Sequence, residues 1–395
     1  MNLSVILRRT SSLFCEDLDL NRQMIKNIID SSKVLVIGGA GSIGQSVSKL
    51  IFSLNPKTLH VVDISENNLT ELVRDLRSTI GYIDGDFRTF ALDCGSLEFE
   101  LLISREGPYD YVFNLSALKH VRSEKDPYTL MRMIDVNICN TIKTFNLLKH
   151  SQLKNYFTVS TDKAANPVNM MGASKRIMEM FLFRHAVEQS VSTARFANVA
   201  FSDGSLLHGF TQRFAKRQPI AAPNDVKRFF ISPAESGELC LLSGLLGNNR
   251  EIFFPKLDSG IDELLFSDLA ISFLESSGFE PFECSSEQEA RERFDELFNL
   301  KKWPCYFFKS NTTGEKEYEE FFTDLESLDL DRFSGIGVIN NAFDVDDIKL
   351  DKFIKGLSYL RTTGLWSRAD LIDLFRDVLV DFNHFETGFF LDQKM

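Results

Sequence analysis

The sequence has few features of proteins that are held together by covalent or metal cross-links. Its six cysteines are widely spaced in 395 residues and include no C-x-x-C pair, so neither a disulfide framework nor a metal site is indicated. No apolar run approaches the roughly 18 residues of a membrane span, and the N-terminal segment is too polar for a signal sequence. We therefore expect a cytoplasmic protein with reduced thiols and no membrane span.

Positive charge is also scarce. The chain carries 44 Lys and Arg residues against 56 Asp and Glu, which gives a formal net charge of -12. Nucleic-acid binding needs a basic face, so nucleic acid is not an expected partner. An acidic protein can still bind a nucleotide, because a few local donors and a helix N-terminus suffice for its phosphates. The expected partners are small molecules and copies of the chain itself, as a homo-oligomer.

Strand-length apolar runs alternate with helix-period stretches in the first half of the chain, which predicts an α/β fold with a doubly wound parallel sheet. The predicted strands cover residues 33–37, 59–63, 89–93, 111–115, 156–161 and 193–199. We divide the chain into an N-terminal lead-in at 1–30 with a helix over 21–30, a main domain at 31–203, mainly a smaller cap at 204–326, and a helical C-terminal extension at 327–395.

Two capping patterns place helices in the later part of the chain. Ser286 followed by Glu289 predicts a helix that continues through Leu297, and Ser367 followed by Asp370 predicts another. The second half therefore looks folded.

A glycine-rich turn follows the first predicted strand. Residues 38–44 read Gly-Gly-Ala-Gly-Ser-Ile-Gly and lead into a helical stretch over 45–54. Gly38 permits the tight turn, Gly41 lets the backbone approach a pyrophosphate, and Gly44 allows the helix to pack closely on the strand. Ser42 and Ile43 lie at the helix N-terminus, where free N–H groups bind phosphate. The pattern predicts that residues 31–203 bind a dinucleotide.

Acidic and small residues end the next strands. Asp63 lies near the offset of the acid that accepts a hydrogen bond from the adenosine ribose, which favours NAD without excluding NADP. Asp93 can accept a hydrogen bond from the adenine amino group. The alternative is that Asp93 only ends the strand and has no ligand. Ser116 and Ala117 are small residues where the backbone lies against the nicotinamide ribose. Lys119 is a candidate phosphate or nicotinamide-side contact.

Three polar residues end the fifth predicted strand. Thr161, Asp162 and Lys163 can supply a hydrogen bond, an acid and a base, and ligands of open α/β sheets bind at the carboxyl ends of the strands. Met171 and Lys175 follow on a predicted helix, one turn apart on the same face. Lys175 is therefore predicted to reach the cofactor ribose.

These motifs resemble the UDP-N-acetylglucosamine 4,6-dehydratase family of polysaccharide biosynthesis, in the extended short-chain dehydrogenase/reductase class with its Rossmann sheet and C-terminal substrate-binding cap. The resemblance extends from about residue 33 to residue 320. Its Ser-Thr-Asp-Lys-Ala run at 160–164 is the most specific part, because epimerases of this class do not usually carry Asp-Lys beside the catalytic Ser or Thr. The other matching segments are 38–44, 166–167, 171–176, 195–199, 228–230 and 313–320.

The resemblance implies a reaction on a UDP-sugar. The enzyme would oxidise C4 with NAD, eliminate water across C5 and C6, and return the hydride to C6. Lys163 would remove the C5 proton, with its pKa lowered by burial and by the neighbouring Lys175 cation. Asp162 would protonate the departing C6 hydroxyl, and Thr161 would hydrogen-bond the C4 oxygen.

Other positions carry alternatives. Asn198 and Arg228 resemble contacts to the nucleotide-sugar diphosphate, although Asn198 is also typical of a turn and Arg228 of a surface charge. Met171 stands where the class usually has Tyr, and a Met side chain cannot exchange a proton. A branch of this family resembles the chain in having Met at this position. Asp162, Lys163 or a water is then the candidate base for the C4 hydroxyl.

The sequence departs from the family's pattern at two further places, and two other functions remain as alternatives. Ala197 stands where the family has Gly, and residues 311–314 replace an Arg-Pro-Gly segment, so an expected Arg contact is missing. A nucleotide-sugar 4-epimerase would use the same fold and cofactor without needing the Asp-Lys pair. A catalytically silent NAD-binding scaffold is the remaining alternative, suggested by Met171 and the changed loops.

Overall fold

A computed structural model of the chain describes residues 3–149, 153–187, 189–256, 263–310, 319–340, 346–384 and 388. The strands are β1 Lys33–Ile37, β2 Thr58–Asp63, β3 Asp86–Ala91, β4 Tyr111–Asn114, β5 Asn155–Thr161, β6 Val191–Phe196, β7 Asn198–Val199, β8 Ile220–Pro223, β9 Lys227–Ile231, β10 Glu251–Pro255, β11 Glu263–Leu265, β12 Glu280–Glu283, β13 Lys302–Phe308, β14 Ser327–Asp329 and β15 Ile336–Asn340.

The helices lie between and after these strands. They are α1 Leu3–Ile6, α2 Cys15–Asp30, α3 Ser42–Ser53, α4 Glu66–Thr79, α5 Leu97–Glu106, α6 Pro127–Ile134, α7 Asn140–Leu148, α8 Met170–His185, α9 Leu206–Ala215, α10 Pro233–Leu246, α11 Phe266–Ser276, α12 Glu287–Glu292, α13 Phe294–Asn299, α14 Asp347–Thr363 and α15 Arg368–Val378. Within the described ranges, no helix has the length and apolar content that crossing a membrane requires.

The main sheet confirms the predicted α/β class. In the described part of the chain it has nine strands in the order β14-β15-β10-β6-β5-β4-β1-β2-β3. The strands from β10 to β3 are parallel, whereas β15 and β14 are added antiparallel at one edge. Strands β2 and β4 are buried along their whole length, which explains why they read as continuous apolar runs rather than as alternating ones.

Two predicted strands differ from the structure in a way that affects the site. The third ends at Ala91 rather than at Asp93, so Asp93 lies in the following loop. The sixth, predicted as 193–199, is interrupted at Ala197. The chain then leaves the main sheet, because Asn198 and Val199 pair with β9 instead.

The smaller sheets consist of β11-β9-β7 and β12-β13-β8. They enclose an apolar cluster that includes Phe210, Phe273 and the fully buried Trp303. Strand β10 comes from the 204–326 segment expected to form mainly the cap, yet it pairs with β6 in the main sheet. The expected C-terminal extension likewise begins with β14 and β15 of that sheet before it becomes helical. The main sheet therefore draws strands from beyond residue 203.

The helix predictions have mixed outcomes. Helix α2 starts at Cys15, earlier than predicted, and its buried Asp17 accepts hydrogen bonds from the N–H groups of Ser334 and Gly335. The single helix predicted from Ser286 is wrong, because the chain turns at Arg293 and forms α12 and α13. The capping box of α15 is confirmed, with Ser367 and Asp370 bonded to each other's backbone N–H.

The C-terminal helices pack against the helix that follows the Thr161-Asp162-Lys163 turn. Buried side chains of α14 and α15, among them Phe353 and Phe375, form one apolar cluster with Met171 and Phe181 of α8. Phe375 is fully buried and meets Phe353 edge to face, with ring centroids 5.2 Å apart. This part of the extension is thus packed into the core beside α8.

We predict that Phe375→Ala lowers the free energy of unfolding by about 3–5 kcal/mol, the usual loss for a buried Phe. Urea unfolding measures this value. The control is Tyr359→Ala on α14, where the side chain is 68% exposed and the expected change is within about 0.5 kcal/mol. Equal small losses in both variants would contradict the packing described here.

Candidate functional site

The glycine-rich turn joins β1 to α3 in a conformation that two of its glycines require. Gly38 has φ +71, and a Cβ there would lie 2.8 Å from the backbone N of Ser116. A Cβ on Gly44 would lie 2.0 Å from the carbonyl oxygen of Gly38. Helix α3 begins at Ser42, after Gly41, and no side chain caps its N-terminus. The turn therefore presents a helix N-terminus of the kind that binds anions.

The predicted cofactor-side acids stabilise this region through backbone contacts. Asp63, at the end of β2, accepts hydrogen bonds from the N–H of Ala40 at 2.9 Å and of Ser65 at 2.9 Å. Asp93 accepts from the N–H of Gly95 and forms an ion pair with Arg132 at 3.3 Å. An ionised carboxylate can accept about four hydrogen bonds, so both acids retain acceptor capacity.

A π-helical turn, Asp135–Cys139, lies between α6 and α7 and forms hydrogen bonds both to the segment after β4 and to α8. Its buried Asn137 accepts from the N–H of Leu118 at 2.9 Å and donates to the carbonyl of Leu118 and to the hydroxyl of Ser174, both at 3.0 Å. The predicted nicotinamide-side residues Ser116 and Ala117 immediately precede this anchor. Their backbone is therefore held between the glycine turn and α8.

The loop at residues 200–205 lies beside the same region. The N–H of Asp203 donates to the hydroxyl of Ser42 at 2.8 Å, and Lys119 Nζ donates to the hydroxyl of Ser202 at 3.0 Å. Ile43, next to Ser42, packs instead against the core of the main sheet. The structure thus brings Ser42 and Lys119 to one loop, which leads from β7 into α9.

The three polar residues after β5 form a hydrogen-bonded group. Strand β5 ends at Thr161, and Asp162 to Ala164 form one 3-10 turn. The Thr161 hydroxyl donates to Asp162 Oδ1 at 2.7 Å, and Lys163 Nζ donates to both carboxylate oxygens of Asp162 at 3.1 and 3.0 Å. The Asp162 side chain is 5% exposed and that of Lys163 is 25% exposed. The three polar residues thus lie at the carboxyl end of the strand, and two of them form an ion pair that was not predicted.

Helix α8 packs directly on this turn. A Cβ on Gly172 would lie 2.3 Å from the carbonyl oxygen of Lys163 and 3.1 Å from its Cβ. Asn169 caps the helix by accepting from the N–H of Gly172 at 2.8 Å. Only glycine at position 172 allows the helix N-terminus to come this close to the Asp162–Ala164 turn.

Met171 and Lys175 are both buried on α8. The N–H of Met171 donates to the buried carboxylate of Glu124 at 3.0 Å, and His384 contacts the same carboxylate at 2.9 Å. Lys175 Nζ donates to the carbonyl of Val159 in β5 at 3.1 Å. Burial lowers the pKa of Lys175 to about 8, although the charge of Glu179 acts in the opposite direction.

Asn198 and Arg228 both lie against the carboxylate of Glu319, a residue for which no role was predicted. Asn198 Nδ2 donates to Glu319 Oε1, and the N–H of Phe229 donates to Glu319 Oε2 at 2.9 Å. Arg228 Nε lies 3.7 Å from Glu319 Oε1. Asn198 is paired in β7 rather than placed in a turn, and Arg228 is 7% exposed rather than a surface charge.

The pKa predicted for Lys163 is wrong in direction. Desolvation does act to lower it, but the negative charges of Asp162 and Glu319 outweigh desolvation, so the pKa of Lys163 is raised. The opposing positive charge comes from Arg228 and not from Lys175 as we expected. Lys163 is therefore held as an ammonium in the free protein. Burial, together with the charge of Asp162, raises the pKa of Glu319 to about 7.

A buried ion-pair network lies behind the site. Arg195 on β6 donates to Glu179 at 3.1 and 2.9 Å and to Glu326 at 2.8 and 2.9 Å. Arg176 bridges the same two carboxylates at 3.2 Å, and the hydroxyl of Ser160 donates to Glu179 at 2.6 Å. The network links β5, β6 and α8 to the segment that carries Glu319.

Sequence reasoning missed Glu319 and Glu179 as site residues. Glu319 belongs to the matching segment at 313–320, but its position beside Asp162 depends on a fold in which distant segments meet. Glu179 follows Lys175 by one helical turn, a spacing that could have suggested a charge acting on Lys175. The remainder of that segment, 313–318, and the substituted loop at 311–314 lie outside the described residues.

The chain matches the family described as polysaccharide biosynthesis protein over residues 34–340, a range that includes the glycine turn, the Asp162–Lys163 pair and Glu319. The chain belongs to this family. Among its relatives, an uncharacterized membrane protein of Methanocaldococcus jannaschii is 30% identical over 344 residues, which are 84% of this chain and 92% of that protein.

Other relatives of the chain have more specific names. A UDP-N-acetylglucosamine 4,6-dehydratase (inverting) of Campylobacter jejuni is 27% identical over 59% of this chain and 69% of its own length. A UDP-glucose 4-epimerase of Rickettsia prowazekii is 25% identical over 72% of this chain and 87% of its own length. The chain spans about half the length of another relative, the probable polysaccharide biosynthesis protein EpsC of Bacillus subtilis, at 28% identity and 47% coverage of that protein.

Solved structures show the same fold. The X-ray structure of Pen from Bacillus thuringiensis has a TM-score of 0.65 at 23% identity and covers 80% of this chain and 90% of its own. DesIV, a dTDP-glucose 4,6-dehydratase from Streptomyces venezuelae solved with NAD and TYD, has a TM-score of 0.53 at 19% identity, over 62% of this chain and 81% of its own. The relatives with specific enzyme names are nucleotide-sugar dehydratases and epimerases, and the chain has the Rossmann fold of extended short-chain dehydrogenase/reductase enzymes.

We predict that Gly172→Ala destabilises the protein by about 1–3 kcal/mol, because the added methyl group overlaps the carbonyl of Lys163. Urea unfolding measures the change. Gly209→Ala on α9 is the matched control, since a Cβ there meets nothing within 4 Å and the substitution should stabilise the helix by about 0.5–1 kcal/mol. A neutral Gly172→Ala variant would rule out the close approach.

We also predict that Lys175→Met raises the free energy of unfolding at pH 7 by about 1–3 kcal/mol, because it removes a buried ammonium. Between the folded pKa of about 8 and the ordinary value of 10.5, the unfolded state binds more protons, so the stability of the wild type rises with pH. The advantage of Lys175→Met should therefore shrink between pH 7 and pH 10. An advantage that stays constant across this range would contradict the lowered pKa.

Proposed function

We propose that this chain is an NAD-dependent UDP-N-acetylglucosamine 4,6-dehydratase, which converts its substrate to a UDP-4-keto-6-deoxy-N-acetylhexosamine. The observation that carries the proposal is the Asp162–Lys163 ion pair beside Thr161 at the end of β5. Elimination of water needs one group that removes the C5 proton and another that donates a proton to the leaving hydroxyl. An oxidation and reduction at C4 alone, as in an epimerase, needs no such pair.

The glycine turn fits the pyrophosphate of NAD. The α3 N-terminus has no side-chain cap, and a Cβ on Gly41 would meet only the carbonyl of Gly38, at an ordinary 3.6 Å. The packing of the chain itself therefore does not require glycine at 41, whereas close approach of a phosphate does. Bound NAD would supply the hydride acceptor for C4 and the hydride donor for C6. NADP is the alternative, with Asp63 favouring NAD.

The chain's own residues divide the remaining work. Thr161 would hydrogen-bond the C4 oxygen and stabilise the charge that develops there. The Asp162–Lys163 pair holds one transferable proton, shared across contacts of 3.0 and 3.1 Å. Transfer of that proton from Lys163 to Asp162 would produce an amine base for C5 and a carboxylic acid for the C6 hydroxyl.

The diphosphate side of the substrate would lie toward Lys119, Asn198 and Arg228. Arg228 is buried and Lys119 is exposed, which supports Arg228 as the contact to the enclosed part of the diphosphate and Lys119 as a contact nearer the solvent. Met171 contributes packing and a backbone N–H but no proton. A 4-epimerase is the second candidate, favoured by the relative of that name in Rickettsia prowazekii.

The test is incubation of the purified protein with NAD and UDP-N-acetylglucosamine, followed by mass analysis of the product. Loss of one water is the expected result. A product of unchanged mass would support the epimerase, and no turnover with UDP- or dTDP-hexoses would reject both and favour a silent scaffold. Lys163→Ala should abolish deuterium exchange at C5 in D2O while the bound NAD content is unchanged; exchange that persists would eliminate Lys163 as the base.

A further inference from the structure

The charge balance of the site depends on a residue from a distant part of the chain. Glu319 accepts hydrogen bonds from Asn198 on β7 and from the Phe229 N–H on β9, and it forms an ion pair with Arg228 on β9. Its side chain is 4% exposed. A buried carboxylate with fixed partners acts as a localised negative charge, and the charges that it affects include Asp162 and Lys163.

The turn after β5 reaches the same place, because Thr161 pairs with Phe196, two residues before Asn198. Asn166, on the other side of that turn, donates to the carboxylate of Glu320 at 3.1 Å. Three ionisable groups, Asp162, Lys163 and Glu319, thus share one site.

Lys163 contacts Asp162 directly and is stabilised as an ammonium by the additional charge of Glu319. An ammonium cannot remove a proton from carbon. The reaction needs Lys163 to lose its proton at the moment of elimination, and protonation of Glu319 would remove one of the two charges that prevent it.

We propose that Glu319 is a positioning residue that controls, through its charge, whether the proton of the Asp162–Lys163 pair resides on the lysine or on the aspartate. This inference rests on the proposed dehydratase function for its catalytic consequence. The control of the proton itself is a property of the protein and can be measured without substrate.

The proton balance closes around the three residues. Oxidation at C4 releases one proton from the hydroxyl, which passes by way of Asp162 to Glu319, and Lys163 then transfers its own proton to Asp162. Lys163 takes the C5 proton while Asp162 donates to the C6 hydroxyl, which leaves as water. After hydride return to C6, Lys163 gives its proton to C5, and the proton on Glu319 restores the lysine.

The first measurement uses no substrate. Reductive methylation with formaldehyde and borane modifies only neutral amines, so the methylation rate of Lys163 relative to exposed Lys216, followed by peptide mass spectrometry, reports its protonation. In Glu319→Gln this ratio should rise, by roughly tenfold for each unit by which the pKa of Lys163 falls. Glu320→Gln, the exposed neighbouring carboxylate, should leave it unchanged. An unchanged ratio in Glu319→Gln overturns the proposal.

The second measurement is the pH dependence of turnover. Because Glu319 must be ionised to accept the C4 proton, kcat/KM of the wild type should rise with pH through about 7. Glu319→Gln should lose this limb and about 100-fold in kcat, with its NAD content unchanged. Glu319→Asp keeps a carboxylate and should keep the limb; if Glu319→Gln retains the wild-type profile, the proposal fails.

The outcomes separate the inference from the function on which it rests. Absence of turnover in the wild type, together with a methylation ratio that responds to Glu319→Gln, rejects the dehydratase and supports control of Lys163 by Glu319. Normal dehydration with an unresponsive ratio rejects the role of Glu319 and leaves the dehydratase in place. Circular dichroism of each variant verifies that the comparisons are made on folded protein.

Discussion

The site depends on the buried ion-pair network of Arg195, Glu179, Glu326 and Arg176. Arg195 is fully buried and forms paired contacts with two carboxylates. Removing one partner from a buried ion pair typically costs roughly 3–5 kcal/mol, because the other charge is left without compensation. Bidentate contacts between a planar guanidinium and a carboxylate also fix the relative orientation of the two groups. The network therefore sets the relative positions of β5, β6, α8 and the segment at 319–326.

Two lysines near the end of β5 differ in their surroundings, and their pKa values shift in opposite directions. Lys175 donates to the carbonyl of Val159 and is dominated by burial. Lys163 contacts Asp162 and is also affected by the charge of Glu319. The segment that carries Glu319 is bonded to Arg195 through the carbonyl of Phe321 and the carboxylate of Glu326, so the network contributes to the position of that charge.

The sequence predicted those features of the site that depend on local chain geometry. The glycine turn, the uncapped start of α3 and the Thr161-Asp162-Lys163 turn follow from residue spacing within one strand-to-helix unit. The sign of the Lys163 pKa shift could not be predicted, because Glu319 arrives from another part of the chain. The change of sheet at Ala197 was also missed, since Ala197 alone separates β6 from Asn198 and Val199, which pair with β9.

The later half of the chain was less predictable for a similar reason. The segment 204–326 was expected to form mainly the cap because the alternation of strands and helices breaks down after about residue 203, yet pairing with β6 places β10 in the main sheet. The capping residue Ser286 predicts the start of one continuous helix, but a backbone turn at Arg293 divides this stretch into the short helices α12 and α13. Local signals identify where an element starts more reliably than which layer it joins.

The cover that α14 and α15 form over α8 restricts how this protein can assemble. The apolar face of α8 that includes Met171 and Phe181 is already filled by side chains of the same polypeptide. A second copy could reach that face only by displacing both C-terminal helices, with exposure of Phe353 and Phe375. Any symmetric contact between copies that leaves this fold intact must therefore form through a different surface.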